Sequence, residues 1–226
     1  MFFCTRNDLA RLLTAADGDL VAPLALGGFA GLRRAEIMRL DWSEVDLAGG
    51  HVVIQANKAK TGSRRLVPIS ANLRAWLEPR RKERGLVVAD SDGHFALRVN
   101  QAATAAGVEW KQNALRHSYI SYRVAQTQNV AQVSLEAGNT PQIVFSNYRE
   151  LVRPVEAEKW FGIVPGHAKL EMEDGKETKG NVAASGQEDF KSQIADFKGA
   201  SGEGVLKPKV VDLKPVEVGC AAVING

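Results

Sequence analysis

Apolar side chains recur at helical spacing along most of the first 160 residues, interrupted once by a stretch with strand character. Leu9, Leu12 and Leu13 share one helical face, and Thr5 with Asp8 three residues on has the form of a capped helix start. A second apolar stretch, residues 20–29, runs toward Gly31, and residues 34–40 continue as a helix with Ile37 and Leu40 on one face. Residues 51–55 and 64–69 are short β-rich runs joined by residues 56–63, in which Thr61-Gly62 supplies turn chemistry. Ser70 is placed to cap a helix carrying Leu73, Trp76 and Leu77, which Pro79 must kink or end. Further helices are expected over 96–106, 112–126, 130–137, 141–151 and 155–161. The expected fold is mainly α with a small antiparallel β-hairpin, of the α+β class, without internal repeats.

Composition divides the chain near Pro165. The 226 residues carry 29 Lys+Arg against 26 Asp+Glu, a net charge of +3. Residues 1–164 hold +5 and every arginine, whereas residues 165–226 hold −2 and neither Trp nor Tyr. The second part buries too little apolar surface to offset the entropy of ordering, so a disordered tail is expected after one domain. Within it only residues 188–197, through Phe190, Ile194 and Phe197, have the spacing of a short amphipathic helix. Cys4 and Cys220 form neither a disulfide framework nor a zinc spacing, which fits a reducing, cytoplasmic setting. No apolar run reaches the roughly 18 residues of a membrane span.

Several polar positions each have an ordinary explanation. Arg33 and Arg34, with Glu36 close by, have the look of a solvated helix start with a helical ion pair. Lys58 and Lys60 sit in a hairpin loop, where lysines are common. Asn113 and Arg116 fall on one helical face, and His117 follows as a satisfied polar partner. Asn139 beside Gly138 is expected chemistry at a helix end, and Tyr148 is an unremarkable half-buried aromatic.

Their order and spacing carry more. The series Gly31-Leu32-Arg33-x-x-Glu36, then Lys60 eight residues before Pro68, then Leu115-Arg116-His117, then Gly138 and Tyr148, resembles the tyrosine recombinase (phage integrase) family. Supporting segments agree: residues 40–46, Leu-Asp-Trp-Ser-Glu-Val-Asp, are similar to the family's link into the hairpin. Residues 64–69, Arg-Arg-Leu-Val-Pro-Ile, are similar to its second strand. The resemblance extends from about Thr5 to Trp160 and implies the family's catalytic-domain fold.

It also implies a chemistry. In this family a tyrosine attacks a DNA phosphodiester, forming a 3′-phosphotyrosine and freeing a 5′-hydroxyl that later reverses the attack, with no metal or cofactor. Tyr148 matches the nucleophile; Tyr119 and Tyr122 are poorer candidates, since both lie on the helix expected to support the pocket. Arg33 and Arg116 match the two guanidiniums that bind the non-bridging oxygens through planar, charge-assisted hydrogen bonds. Lys60 matches the proton donor to the leaving oxygen, with Lys58 the second choice. Glu36 matches an acidic position that orients an arginine, and His117 takes a supporting place. Arg34, Lys58, Arg64, Arg65 and Lys111 are the further cations expected to contact DNA.

Three features depart from the family. Asn113 stands where histidine is usual, and Asn139 where histidine or tryptophan is usual. An amide can donate a hydrogen bond to phosphate, yet it cannot exchange a proton near neutral pH. The pattern also begins almost at Met1, so a separate N-terminal DNA-clamping domain is expected to be missing and DNA binding to be weak and salt-dependent. The expected partners are double-stranded DNA, a second copy of the chain on that DNA, and a protein supplying the clamp; no membrane is involved. The principal alternative is a weakened remnant that only binds DNA, and a remoter one is an enzyme of the type IB topoisomerase kind.

Overall fold

The structure, a computed structural model, describes residues 4–58, 64–148 and 152–166. Lys60 and the tail from residue 167, with its expected helix at 188–197, lie outside the described residues.

The first helix, α1 (Arg6–Ala15), opens with a reciprocal cap: the Thr5 hydroxyl accepts from the Asp8 amide, and the Asp8 carboxylate accepts from the Thr5 amide. Its Leu9, Leu12 and Leu13 are buried, and each contributes about 1.5–3 kcal/mol through removal from water. Helix α2 (Gly18–Ala30) is apolar on every side from Leu20 onward because it runs through the centre, packed against α1 and three later helices. Gly31 ends it at φ 62°, a left-handed conformation that costs an ordinary residue about 1–2 kcal/mol. A Cβ there would also lie 2.2 Å from the Tyr119 ring. Gly31→Ala is therefore expected to lower unfolding stability by about 2–5 kcal/mol, strain and overpacking together, as read by urea titration.

The short helix α3 (Arg34–Ile37) stops before Leu40, where the expected helix ended. The Leu40 carbonyl accepts from Val87 instead, and Trp42 donates to the Gly85 carbonyl, so the backbone of this stretch belongs to a bridge with residues 85–87. The sheet has a third strand beside the expected hairpin. Strands β1 (Val45–Asp46), β2 (His51–Ile54) and β3 (Arg65–Pro68) lie in that order, all antiparallel, with Val52 opposite Val67 and Ile54 opposite Arg65. A two-residue strand is too short to register as alternation in the sequence.

Helix α4 (Ala71–Leu77) tightens into a 3-10 turn at Glu78–Arg80, as Pro79 requires. The Ser70 hydroxyl donates to the Asn72 side chain rather than capping a backbone amide. Helix α5 (Asp92–Ala105) begins four residues earlier than the apolar spacing indicates, because Ser91 caps it through the His94 amide. Helices α6 (Ala114–Thr127), α7 (Val130–Ala137), α8 (Pro141–Asn147) and α9 (Pro154–Phe161) complete the order. The expected helix at 141–151 thus ends at Asn147, and Tyr148 has left helical geometry at φ −118°, ψ 44°. Trp160 on α9 is buried against Tyr122, with ring centroids 4.3 Å apart and nearly parallel, and donates to the Gly28 carbonyl. No helix among the described residues is long and apolar enough to cross a membrane.

Candidate active site

Two helix ends and one strand bring the motif residues together. The left-handed turn at Gly31 sends the chain from α2 into Arg33 at the head of α3. A second left-handed glycine, Gly138 at φ 64°, ends α7 and delivers Asn139. Strand β3 lies against α7, which places the Arg65 guanidinium directly under Gly138; a Cβ there would come within 3.2 Å of it.

Arg33 and Arg116 converge on a single atom. The Asn139 side-chain oxygen accepts from Arg33 Nη2 and from Arg116 Nη2, each at 3.0 Å, so those two nitrogens stand no more than 6.0 Å apart. Arg33 also donates to the Gly138 carbonyl (2.7 Å) and to Glu36 (2.9 Å). Arg116 also donates to the carbonyls of Gly31 and Ala137. Arg116 is 6% exposed, and burial first, then the neighbouring Arg33 charge, bring its pKa down to about 10. It stays cationic at neutral pH. Three of its five N–H bonds are engaged by these contacts, leaving Nε and one Nη1 proton.

Glu36 does more than orient one arginine. It is buried, accepts the Arg33 amide and guanidinium, and accepts Arg65 through both oxygens at 3.0 and 2.7 Å. Burial works to raise its pKa, but the Arg65 and Arg33 contacts outweigh it and hold the carboxyl below its ordinary range. Glu36→Gln should leave the Arg65 charge buried without a counterion, a loss of about 3–5 kcal/mol at neutral pH. A depressed folded pKa stabilises above the ordinary carboxylate value, and the gain disappears as pH falls through the folded one. The stability gap between wild type and Glu36→Gln, followed by denaturant unfolding, is therefore expected to close in acid.

Tyr148 is half-buried just past α8, its hydroxyl 3.0 Å from His117 Nδ1. Burial pushes the phenol's pKa up, while Arg116 and then Arg33 pull it down; the net shift is upward. Tyr119 and Tyr122 are buried, Tyr119 donating to Glu136, so neither competes for this position.

Other expected site residues fall elsewhere. Asn113 is not part of α6 and does not share a helical face with Arg116. It precedes the helix at φ 63°, is solvent-exposed and caps no amide. With Arg34, Gln112 and Arg116 it lines a cleft of about 370 Å³ between α2, α5 and α6 that Arg33, Asn139 and Tyr148 do not reach. Arg65, expected among the DNA-contacting cations, is turned into the fold: its side chain is 8% exposed and bound to Glu36 and the Glu136 carbonyl. Its position two residues from Val67, on the inward face of β3, was the available signal. Arg34 pairs with Asp92 at 2.8 Å and lies over the Phe95 ring, and Lys58 pairs with Glu44 at 2.6 Å, so both are engaged within the fold. Lys111 is exposed and pairs with Glu109; Arg64 is exposed beside the hairpin loop.

Glu136 had no signal in the sequence. It accepts from Tyr119, Arg123 and Gln132, fixing α7 against α6 and with it the carbonyls and Asn139 that the two arginines meet. Among the described residues no group of three or more His, Cys, Asp or Glu side chains is arranged to hold a metal.

Comparison with known proteins bears on the fold. The XerA recombinase crystal structure superposes with a TM-score of 0.57 at 14% identity, covering 72% of this chain and 65% of that one. An integrase from mycobacterium phage Brujita gives 0.55 at 18% identity, covering 71% and 58%. At these identities the likeness is one of fold, and the chain spans less than two thirds of either protein. No curated protein matches the sequence. The phage integrase family model matches residues 3–134, which takes in Arg33, Glu36, Arg65, Arg116 and His117. By that match, more than half of its length, the chain belongs to the phage integrase family.

Proposed function

We propose that this domain breaks and rejoins DNA strands through a covalent 3′-phosphotyrosine at Tyr148, in site-specific integration, excision or resolution. The observation that carries the reading is the shared Asn139 contact. Two guanidiniums, from segments far apart in sequence, point at one oxygen, with the Tyr148 hydroxyl in the field of both. Such an arrangement suits a phosphoryl transition state, whose charge gathers on non-bridging oxygens and is stabilised by preorganised cationic donors. The phosphate would displace no carboxylate from the Asn139 side of the pair. Lys60 is our candidate donor to the leaving 5′-oxygen, and Arg64 and Lys111 our candidate backbone contacts. Double-stranded DNA is the proposed partner, bound in oligomeric form and with a clamp supplied by another polypeptide segment.

The test is covalent trapping on a nicked duplex whose cleaved fragment diffuses away. A shifted protein–DNA band is expected, with the DNA mapped to the Tyr148 peptide by mass spectrometry. Binding without any adduct would favour a DNA-binding remnant, and an adduct on another residue would overturn the site. Relaxation of supercoils without strand exchange between duplexes would point to topoisomerase chemistry.

A further inference from the structure

Cleavage at Tyr148 needs somewhere for the phenolic proton to go. Residue 113, where histidine is usual, is an asparagine that cannot take a proton, and it stands exposed ahead of α6. His117, one turn into α6, is the proton-accepting side chain that touches the phenol. Its Nδ1 lies 3.0 Å from the Tyr148 hydroxyl, and the rings meet at 39° with centroids 5.5 Å apart. We infer that His117 is the general base of strand cleavage, taking the Tyr148 proton onto Nδ1 in place of a residue at position 113. This rests on the recombinase reading above.

The step balances without a co-reactant. The Tyr148 O–H bond breaks and its proton moves to His117 Nδ1 as the oxygen bonds to phosphorus. The bond from phosphorus to the 5′-oxygen breaks, and that oxygen takes a proton from a separate donor. In the rejoining step the imidazolium returns its proton to the departing phenolate. Only a neutral imidazole with its hydrogen on Nε2 can accept at Nδ1. Burial, and then the adjacent Arg116 charge, hold the His117 pKa below its ordinary value, so the neutral ring prevails at physiological pH. Among the described residues, Arg116 on its own helix acts on it by charge and Tyr148 beyond α8 by contact; of the helices packed on α6, α7 brings Glu136, already bound to Tyr119, Arg123 and Gln132, and α9 brings Glu156, paired with Lys159.

A histidine that only holds the ring in place and one that takes its proton differ in their response to His117→Asn. Asparagine can keep a hydrogen-bond acceptor near the Nδ1 position but cannot be protonated there. Capture rates should be measured on a nicked duplex whose scissile 5′-oxygen is replaced by sulfur, a leaving group that needs no proton. Wild type is expected to speed up with pH through the His117 titration and then level off. His117→Asn should be slower by about a hundredfold at neutral pH and lack that inflection. In a parallel NMR measurement without DNA, the His117 Nδ1 resonance should move when Tyr148 is replaced by phenylalanine. A His117→Asn protein that captures at the wild-type rate, or keeps the inflection, overturns the inference, as does an Nδ1 resonance indifferent to Tyr148→Phe. Wild type that shows the NMR contact yet forms no adduct strikes the recombinase reading itself, and the catalytic role of His117 with it.

Discussion

Phenylalanine in place of Tyr148 is expected to take covalent DNA capture below detection while leaving the fold and the DNA affinity nearly unchanged. The exchange removes one oxygen, and with it the proposed nucleophile. Tyr119, the nearest candidate along α6, is buried and committed to Glu136, and burial together with the Glu136 charge pushes its pKa far up. The structural loss is a single hydrogen bond to His117, worth about 1 kcal/mol. Arg33, Arg116 and Asn139 keep their contacts, so phosphate should still be held. Gel-shift affinity and thermal unfolding measured beside the trapping assay separate this outcome from general damage. Residual adduct above about one part in a thousand would mean that the nucleophile lies elsewhere.

Arg116→Lys is expected to lower the capture rate by about a hundred- to a thousandfold, despite conserving charge. A guanidinium spans the Gly31 carbonyl on one side and Ala137 with Asn139 on the other, which an ammonium on a single stem cannot do. The surroundings that bring an arginine down to about 10 would draw a lysine, which starts lower, closer to neutrality. The variant therefore loses donors and part of its charge together. Stability should fall by about 2–4 kcal/mol, since two buried carbonyls lose a charged partner. Rate loss without stability loss would indicate that those carbonyls find water, and unchanged capture would remove Arg116 from the site.

The chain's helical periodicity and the order of Arg33, Glu36, Arg116 and Tyr148 are enough to read the family and the fold class, and they single out residues of the candidate site. What escaped depends on approach from outside an element. His117 points about 100° from Arg116 on a helical wheel, so it reads as no more than a supporting residue until Tyr148 is seen to arrive from that side. Arg65 looked like surface charge because its counterion, Glu36, is brought to it by the fold from another segment. The spacing of Asn113 from Arg116 fits a place on α6, but its left-handed backbone puts it before the first turn. Asn139 was expected to donate to phosphate, whereas its oxygen serves as the acceptor that joins the arginines.

The left-handed glycines at the ends of α2 and α7 point backbone carbonyls, not acids, at the arginine pair. Each such helix end carries roughly half a negative charge, spread over carbonyl oxygens that cannot be protonated. Arg33 and Arg65 share Glu36 as their one carboxylate, Arg116 bonds to none, and the side chains of the cluster keep a formal charge of +2 that the helix ends offset only in part. Had the fold used an aspartate at each arginine, it would have gained a quieter interior and a pocket that repels phosphate. Partial charges resolve that conflict: they hold a cation in place at any pH without cancelling the field it exerts on an anion.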